Sequence, residues 1–188
     1  MPKSFQQKLK ILYLMRVFAE KTDEAHPMSV KDLIAYLENF GIHAERKTIY
    51  DDIETLRVFG MDIMNRRERP SGFYLASREF EVAELKLLVD AVQSSRFLTT
   101  GKSRQLIQKL ESLTSIYQAK DLQRQVIVQN RVKNTNENIY YNIDEIHRAI
   151  SQNRQISFQY TEWTVSKERQ LKKGGARYQI SPWQMIWQ

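Results

Sequence analysis

Four side chains that can bind phosphate or a base edge stand close together at positions 46–50. Arg46, Lys47, Thr48 and Tyr50 all fall at the start of one short amphipathic segment. An arginine can take a phosphate or bind guanine through two hydrogen bonds, and lysine and threonine suit either kind of contact. Tyr50 can reach a phosphate or sugar, or it can pack half-buried against the preceding helix; the pattern leaves both open. These residue types at this spacing predict contacts to duplex DNA.

A second cationic group, formed by Arg66, Arg67 and Arg69, adjoins a Pro-Ser-Gly turn. It is the most concentrated positive charge within residues 1–75. Arginines at the tip of a hairpin can insert into a narrow minor groove, where negative potential is strongest. The alternative interpretation is a solvated turn. The first interpretation adds these three arginines to the candidate DNA-binding site.

Capping and glycine signals indicate the elements that precede this site. The Ser29 hydroxyl can accept a backbone N–H at the start of a helix over 30–40, and Asp32, three residues on, resembles the acid of a capping box. Gly41 can take the left-handed conformation that ends a helix. Helically spaced apolar residues predict an earlier helix over 6–20.

The cationic segment itself begins a helix with a narrow apolar stripe. Ile49, Ile53 and Leu56 stand at i, i+4 and i+7, and Gly60 ends the pattern. Such a stripe suits a helix that packs with one face and presents the other to a partner. Two short strand patterns then flank the Pro-Ser-Gly turn and predict a β-hairpin. Helix, turn, helix and hairpin in this order predict a winged helix-turn-helix, whose second helix enters the major groove.

The charge distribution does not by itself reveal this site. The net charge is +7, but residues 1–75 hold 12 Lys/Arg against 11 Asp/Glu, a net of +1. Asp51 and Asp52 oppose phosphate contacts at their own positions, because a carboxylate is repelled there unless it pairs with a cation or accepts from cytosine. We expect Asp52 to face the preceding helix or the turn as a structural acceptor.

Positive charge is concentrated instead in residues 96–133, with a net charge of +6. One hypothesis is that this segment supports DNA binding or lines an effector cleft; the other is an ordinary solvated helical surface. Its acidic residues are Glu111 and Asp121, and its basic residues are Arg96, Lys102, Arg104, Lys109, Lys120, Arg124, Arg131 and Lys133.

Composition argues against several function classes. Cysteine is absent and three histidines occur, so the sequence predicts no disulfide framework, no metal and no other cofactor. It has no phosphate-cradling glycine loop and no Ser/His/Asp arrangement with supporting context, which argues against an enzyme. No apolar run approaches the roughly 18 residues of a membrane span, and the N-terminus lacks the apolar segment of a signal peptide. The expected location is therefore the cytoplasm.

The rest of the chain shows further helix and strand patterns. They predict helices over 80–97, 103–112 and 143–151, strands over 126–128, 155–164 and 177–187, and a polar linker over 130–138. Residues 99–101 are expected to separate the first two of these helices. Asp144 and Glu145 are expected in the first turn of the third, where the helix dipole favours acids. Pro182 is expected to interrupt the last strand region.

Several segments resemble WYL-domain transcriptional regulators. Residues 48–53, with Leu56 and Gly60, resemble the recognition-helix motif of that family, and residues 80–92 resemble its connecting helical region. The opening of the WYL domain is similar to residues 146–150, 156–160 and 178–183.

The resemblance implies a bacterial DNA-binding regulator with an α+β fold that acts as a homodimer. It implies a winged helix-turn-helix domain over 1–77, a helical connector and linker over 78–138, and the first part of an Sm-like β-barrel, the WYL sensor domain, over 139–188. In that family the barrel is thought to sense a small molecule or a nucleic-acid ligand. By motif position, the 46–50 group would carry the DNA contacts.

The sequence departs from the family pattern in two ways. Many members have Arg where this chain has Asp51, and the Trp-Tyr-Leu tripeptide does not occur: Trp163, Trp183 and Trp187 are followed by Thr or Gln. About 45 residues from Ile143 onward are too few to close a barrel. We therefore expect an incomplete sensor domain, from a truncated chain or a shortened gene, or strands that are completed across a dimer.

Two function hypotheses follow. The first is a sequence-specific DNA-binding transcriptional regulator that responds to a ligand in its full-length form. The second is a protein-interaction module that uses the winged helix without binding DNA. Salt-dependent binding to duplex DNA distinguishes them, because phosphate contacts make affinity fall steeply with salt.

Overall fold

The computed structural model describes residues 3–124, 133, 136 and 138–186. It is a mixed α+β structure of helices and short strands. The elements are α1 (Lys3–Lys21), α2 (Val30–Glu38), α3 (Arg46–Val58), β1 (Ile63–Arg66), β2 (Gly72–Leu75), α4 (Val82–Ser94), α5 (Thr100–Glu111), α6 (Ile116–Arg124), α7 (Ile139–Ser151), β3 (Ile156–Gln159), β4 (Thr161–Trp163), β5 (Arg169–Leu171), a short 3-10 segment (Lys172–Gly175) and β6 (Arg177–Ile180).

The chain divides into two compact units. One contains Met1–Arg96 with Thr100–Lys133, and the other contains Phe97–Thr99 with Asn134–Gln188. Within the described ranges, no helix combines the length and the apolar composition of a membrane span.

The main core of the first unit lies between α1, α2, α3 and the β1–β2 hairpin. Its buried side chains include the predicted stripe of α3, and each such aliphatic side chain stabilises the fold by about 1.5–3 kcal/mol. The buried apolar residues are Leu14, Val17, Phe18, Val30, Leu33, Leu37, Ile42, Ile49, Ile53, Leu56, Ile63 and Phe73.

The predicted start of α2 is confirmed. The Ser29 Oγ accepts the Asp32 N–H at 3.2 Å, and the Asp32 Oδ2 accepts the Ser29 N–H at 3.1 Å, which completes the capping box. The helix ends at Glu38 rather than at the expected Phe40. Gly41 follows with a φ of 68°, the left-handed conformation expected of it.

The predicted hairpin is also confirmed, and it is joined to the α1–α2 loop. β1 and β2 pair antiparallel, with Asn65 opposite Phe73. Phe73 exchanges two backbone hydrogen bonds with Met28, at 2.8 and 2.9 Å. This pairing brings the Gly72 Cα against the Met28 carbonyl, where a Cβ would overlap the oxygen and lie 2.5 Å from its carbon. Only glycine fits this approach of two backbones.

The connector region differs from the sequence predictions in two places. α5 begins at Thr100, so the expected break at 99–101 is displaced and Gly101 lies inside the first turn of the helix. α6 was not predicted; it begins after Ser115, whose Oγ accepts the Gln118 N–H at 3.1 Å as an N-cap. The predicted strand over 126–128, and the predicted linker apart from residues 133, 136 and 138, lie outside the described residues.

In the second unit, α7 begins at Ile139, four residues before the expected start. The prediction that Asp144 and Glu145 occupy its first turn is therefore wrong, and both instead pair with Arg148, at 3.0 and 2.8 Å. These are one-turn side-chain pairs on the surface of the helix.

The predicted strand over 155–164 forms as β3 and β4, which are separated at Tyr160. β3 pairs antiparallel with β6, and β4 pairs antiparallel with β5. The β4–β5 pair lies between β3 and β6 in the sequence. Residues 181–186 form no strand, so the prediction of a strand beyond Pro182 is wrong for that segment, and Trp187 lies outside the described residues. The prolyl ring fixes φ and removes a donor, which prevents β6 from continuing regularly.

Candidate nucleic-acid interface

A groove of about 500 Å³ lies between the first turn of α2, α3 and the β1–β2 hairpin. Four cationic side chains line it, and none of the described lining residues carries a carboxylate. The lining residues are Ser29, Val30, Lys31, Ile34, Arg46, Tyr50, Asn65, Arg66, Arg67, Ser71, Gly72 and Phe73. Although the first 75 residues are nearly neutral, folding concentrates positive charge on this surface.

Arg46 and Tyr50 lie one helical turn apart on the face of α3 that lines the groove. The Arg46 Nη2 donates to the Tyr50 hydroxyl at 3.3 Å. The Tyr50 ring packs edge-on against Phe73 of β2, with 5.9 Å between ring centroids, and remains 40% exposed. Tyr50 thus packs against the hairpin, while its hydroxyl lies beside the Arg46 guanidinium.

Lys47 and Thr48 have different surroundings from Arg46. Lys47 is exposed and does not line the groove. Thr48 is half-buried, and its hydroxyl donates to the Glu45 carbonyl at 2.8 Å, so it supports the start of α3. The Glu45 side chain makes no capping hydrogen bond. The first N–H groups of α3, at the positive end of the helix dipole, therefore lack a side-chain cap from Glu45.

The three hairpin arginines do not act as one group. Arg66 is the last residue of β1 and is half-buried, and its Nη1 donates to the Glu24 carbonyl at 2.7 Å. Arg67 is exposed and lines the groove. Arg69 is exposed in the turn and does not line the groove. The exposure of Arg69 is compatible with a minor-groove contact and with a solvated turn, and both stay predictions.

The acidic residues of α3 lie away from the groove. The Asp52 Oδ2 is 2.7 Å from the Lys10 Nζ of α1 and accepts no hydrogen bond. Asp52 therefore forms a structural ion pair with α1, and it is not the acceptor toward α2 or the turn that the sequence predicts. Glu54 pairs with Arg57 on the same helix. Asp51 is exposed and does not line the groove.

Lys31, Asn65 and Ser71 line the groove although the sequence did not single them out. Lys31 is the second residue of α2, two positions after its N-cap, and in a helix-turn-helix the first helix crosses the DNA backbone. That position was the available sequence signal. The places of Asn65 and Ser71 depend on the hairpin register, which fixes which side chains face α3.

The basic segment over 96–133 is only partly described. Arg104 and Lys133 line a separate cleft of about 370 Å³ beside α4, α5 and α6. The Lys133 Nζ donates to the Ser103 Oγ, and burial lowers the pKa of Lys133. Arg131 lies outside the described residues. The hypotheses that this segment supports DNA binding or lines an effector cleft stay predictions.

No protein-family model, curated protein or solved structure matches the chain. In the described ranges, no group of three or more His, Cys, Asp or Glu side chains is arranged to hold a metal ion.

Proposed function

We propose that this chain is a sequence-specific, double-stranded DNA-binding transcriptional regulator of the winged helix-turn-helix type. The supporting observation is the groove beside α3, which is lined by four cations and, among its described residues, by no acid. Such a surface attracts the phosphate backbone, and its hydroxyl and amide groups can bind base edges.

The proposed docking puts the N-terminal half of α3 in the major groove. A B-DNA major groove about 12 Å wide admits one helix, and the residues near the start of that helix reach the bases. Arg46 and Tyr50 face outward there, whereas Asp52 faces α1. The rotation of α3 about its axis therefore favours contact through its basic side.

Each cation that lines the groove or lies beside it has a distinct role in this proposal. Arg46 binds guanine or a phosphate, and Lys31 and Arg67 bind phosphates on either side of it. Lys47 contacts the backbone beside α3. Arg69, at the tip of the hairpin, reaches the adjacent minor groove. Arg66 is hydrogen-bonded to the α1–α2 loop and orients the turn end of the hairpin.

The regulatory part of the proposal rests on the resemblance to WYL-domain regulators. The second unit would contribute to an Sm-like barrel that senses a small molecule or nucleic-acid ligand in the full-length protein. A homodimer would bind two half-sites about one helical turn, roughly 34–36 Å, apart.

Footprinting on DNA from upstream of the chain's own gene tests this function. We expect a protected stretch with two half-sites that survives excess unrelated duplex and disappears in Arg46→Ala. Equal protection of all duplexes would exclude sequence-specific recognition. If the chain protects none of the duplexes, DNA binding is excluded.

A protein-interaction module is the second candidate, and one observation favours it. Val58 and Phe59, at the C-terminal end of α3, are 88% and 75% exposed, and adjacent exposed apolar side chains are typical of protein contacts. Binding of a protein partner through these two residues would be lost in a Val58→Ser/Phe59→Ser double variant. The affinity for that partner would not depend on salt. Loss of duplex affinity in that variant would instead assign these residues to the DNA-binding surface.

A further inference from the structure

Arg66 lies between two clefts of the first unit. It lines the groove beside α3, and it also lines a cleft of about 590 Å³ formed by the α1–α2 loop and α6. In the second cleft it lies with His26, Tyr117 and Lys120. The same guanidinium therefore borders the proposed DNA-binding surface and the connector.

Asp23 organises the loop on which Arg66 rests. It is 4% exposed, and its Oδ1 accepts the backbone N–H groups of Ala25 and His26, at 3.0 and 2.9 Å, and contacts the His26 Nδ1 at 2.8 Å. The His26 ring stacks on Tyr117 of α6, with 3.7 Å between centroids. These contacts fix the chain from residue 23 to residue 26, including the Glu24 carbonyl that accepts from Arg66.

The other oxygen of Asp23 connects this loop to α6. The Asp23 Oδ2 accepts the hydroxyl of Ser115, the N-cap of α6. Burial raises the pKa of Asp23, but the hydrogen bonds from Ser115 and His26 and the charge of His26 lower it more, so the net shift is downward and favours the carboxylate. The Ser115 hydroxyl donates to the carboxylate and not to His26, so the three residues lack the serine–histidine bond of an activated nucleophile.

We propose that Asp23 is a positioning residue for DNA binding, which holds the Glu24 carbonyl beneath Arg66 and links the hairpin to α6 through Ser115. This inference rests on the proposed function. Through this link the connector acts on the DNA-binding surface: a shift of the α6 N-terminus moves Asp23, the loop and Arg66 together. A connector that binds an effector can then alter DNA affinity without touching DNA.

A double-variant cycle tests the link, with the full chain and a duplex that it protects. Ser115→Ala should weaken binding by about threefold to tenfold in the unaltered background and cause no further loss in Arg66→Ala, because it acts through the guanidinium that Arg66→Ala has already removed. Asp23→Asn should behave like Ser115→Ala. Glu84→Ala is the matched control, since it removes the capping box of α4 and does not contact Asp23.

Two readouts separate positioning from general destabilisation. In the free protein, Ser115→Ala should shift the NMR signals of the Arg66 guanidinium, and Glu84→Ala should not. If Ser115→Ala lowers the affinity equally in the unaltered chain and in Arg66→Ala, the positioning role is overturned. It is also overturned if Ser115→Ala changes neither the affinity nor the Arg66 signals. Neither result would affect the proposed function. A chain that binds no duplex at all would instead overturn the proposed function, and this role with it.

Discussion

Lys10 of α1 and Asp52 of α3 form an ion pair inside the first unit, with 2.7 Å between the Nζ and the Oδ2. Their side chains are 9% and 18% exposed. The contact lacks hydrogen-bond geometry, so it acts through charge. It holds the Asp52 side of α3 against α1, which leaves Arg46 and Tyr50 on the side that lines the groove.

We expect Asp52→Ala to destabilise the fold by about 1–3 kcal/mol, because it leaves the Lys10 charge nearly buried without its partner. Urea unfolding gives the free energy of unfolding directly. Asp51→Ala is the matched control, because the Asp51 carboxylate is next to Asp52 in the sequence but is exposed. This change should alter the free energy of unfolding by no more than about 0.5 kcal/mol. Equal effects of the two changes would show that the ion pair contributes nothing.

Gly72→Ala should detach the hairpin from the α1–α2 loop. The added Cβ would overlap the Met28 carbonyl, and such overpacking costs about 1–3 kcal/mol. Gly41→Ala provides the comparison: that site has positive φ but open space around it, so we expect only about 1–2 kcal/mol of backbone strain. DNA affinity should fall for Gly72→Ala and stay unchanged for Gly41→Ala. A hairpin that tolerates alanine at position 72 would argue against the close backbone approach.

The lowered pKa of Asp23 predicts a pH-dependent contribution to stability. Its pKa in the folded chain lies below the ordinary value of 3.8, so folding is favoured by its ionised form above that pH. The difference in unfolding free energy between the unaltered chain and Asp23→Asn should be largest above about pH 4 and shrink as the pH falls through the folded-state pKa. Asp51→Asn, which removes an exposed carboxylate of α3, is the matched control for the loss of one negative charge. A difference for Asp23→Asn that grows on acidification would contradict the assignment.

Lys31→Ala tests the contribution of α2. If Lys31 binds a phosphate, its loss should weaken binding about equally on all duplex sequences and reduce the salt slope by about 0.9. Binding curves on the protected duplex and on an unrelated one measure both effects. A loss confined to the protected sequence would instead indicate a base contact.

Features with local causes could be predicted from the sequence, and contacts between distant segments could not. The Ser29 cap, the Gly41 turn and the α3 stripe follow from neighbours within one or two helical turns. The bond between Arg66 and the Glu24 carbonyl joins residues 42 apart, so no spacing rule indicates it. The same reason explains the wrong partner expected for Asp52.

Errors at helix boundaries have a different origin. α7 begins four residues before the predicted start because Ile139 and the two tyrosines after it extend its helical pattern. The prediction placed the start at 143 because Asp144 is typical of the first turn of a helix. α6 was missed because its N-cap, Ser115, follows directly on a polar segment that also fits a turn. The Ser115 hydroxyl also donates to Asp23, which lies 92 positions away in the sequence, so no local pattern indicates this contact.

The most direct test of DNA binding through α3 compares Arg46→Ala with Arg16→Ala on the protected duplex over a series of salt concentrations. Both changes remove one arginine, but Arg16 pairs with Glu20 on α1 and does not line the groove. We expect the unaltered chain to lose affinity steeply with salt, Arg16→Ala to match it, and Arg46→Ala to bind roughly 5–100-fold more weakly. Equal affinities of the two variants, or binding insensitive to salt, would contradict recognition of DNA by α3.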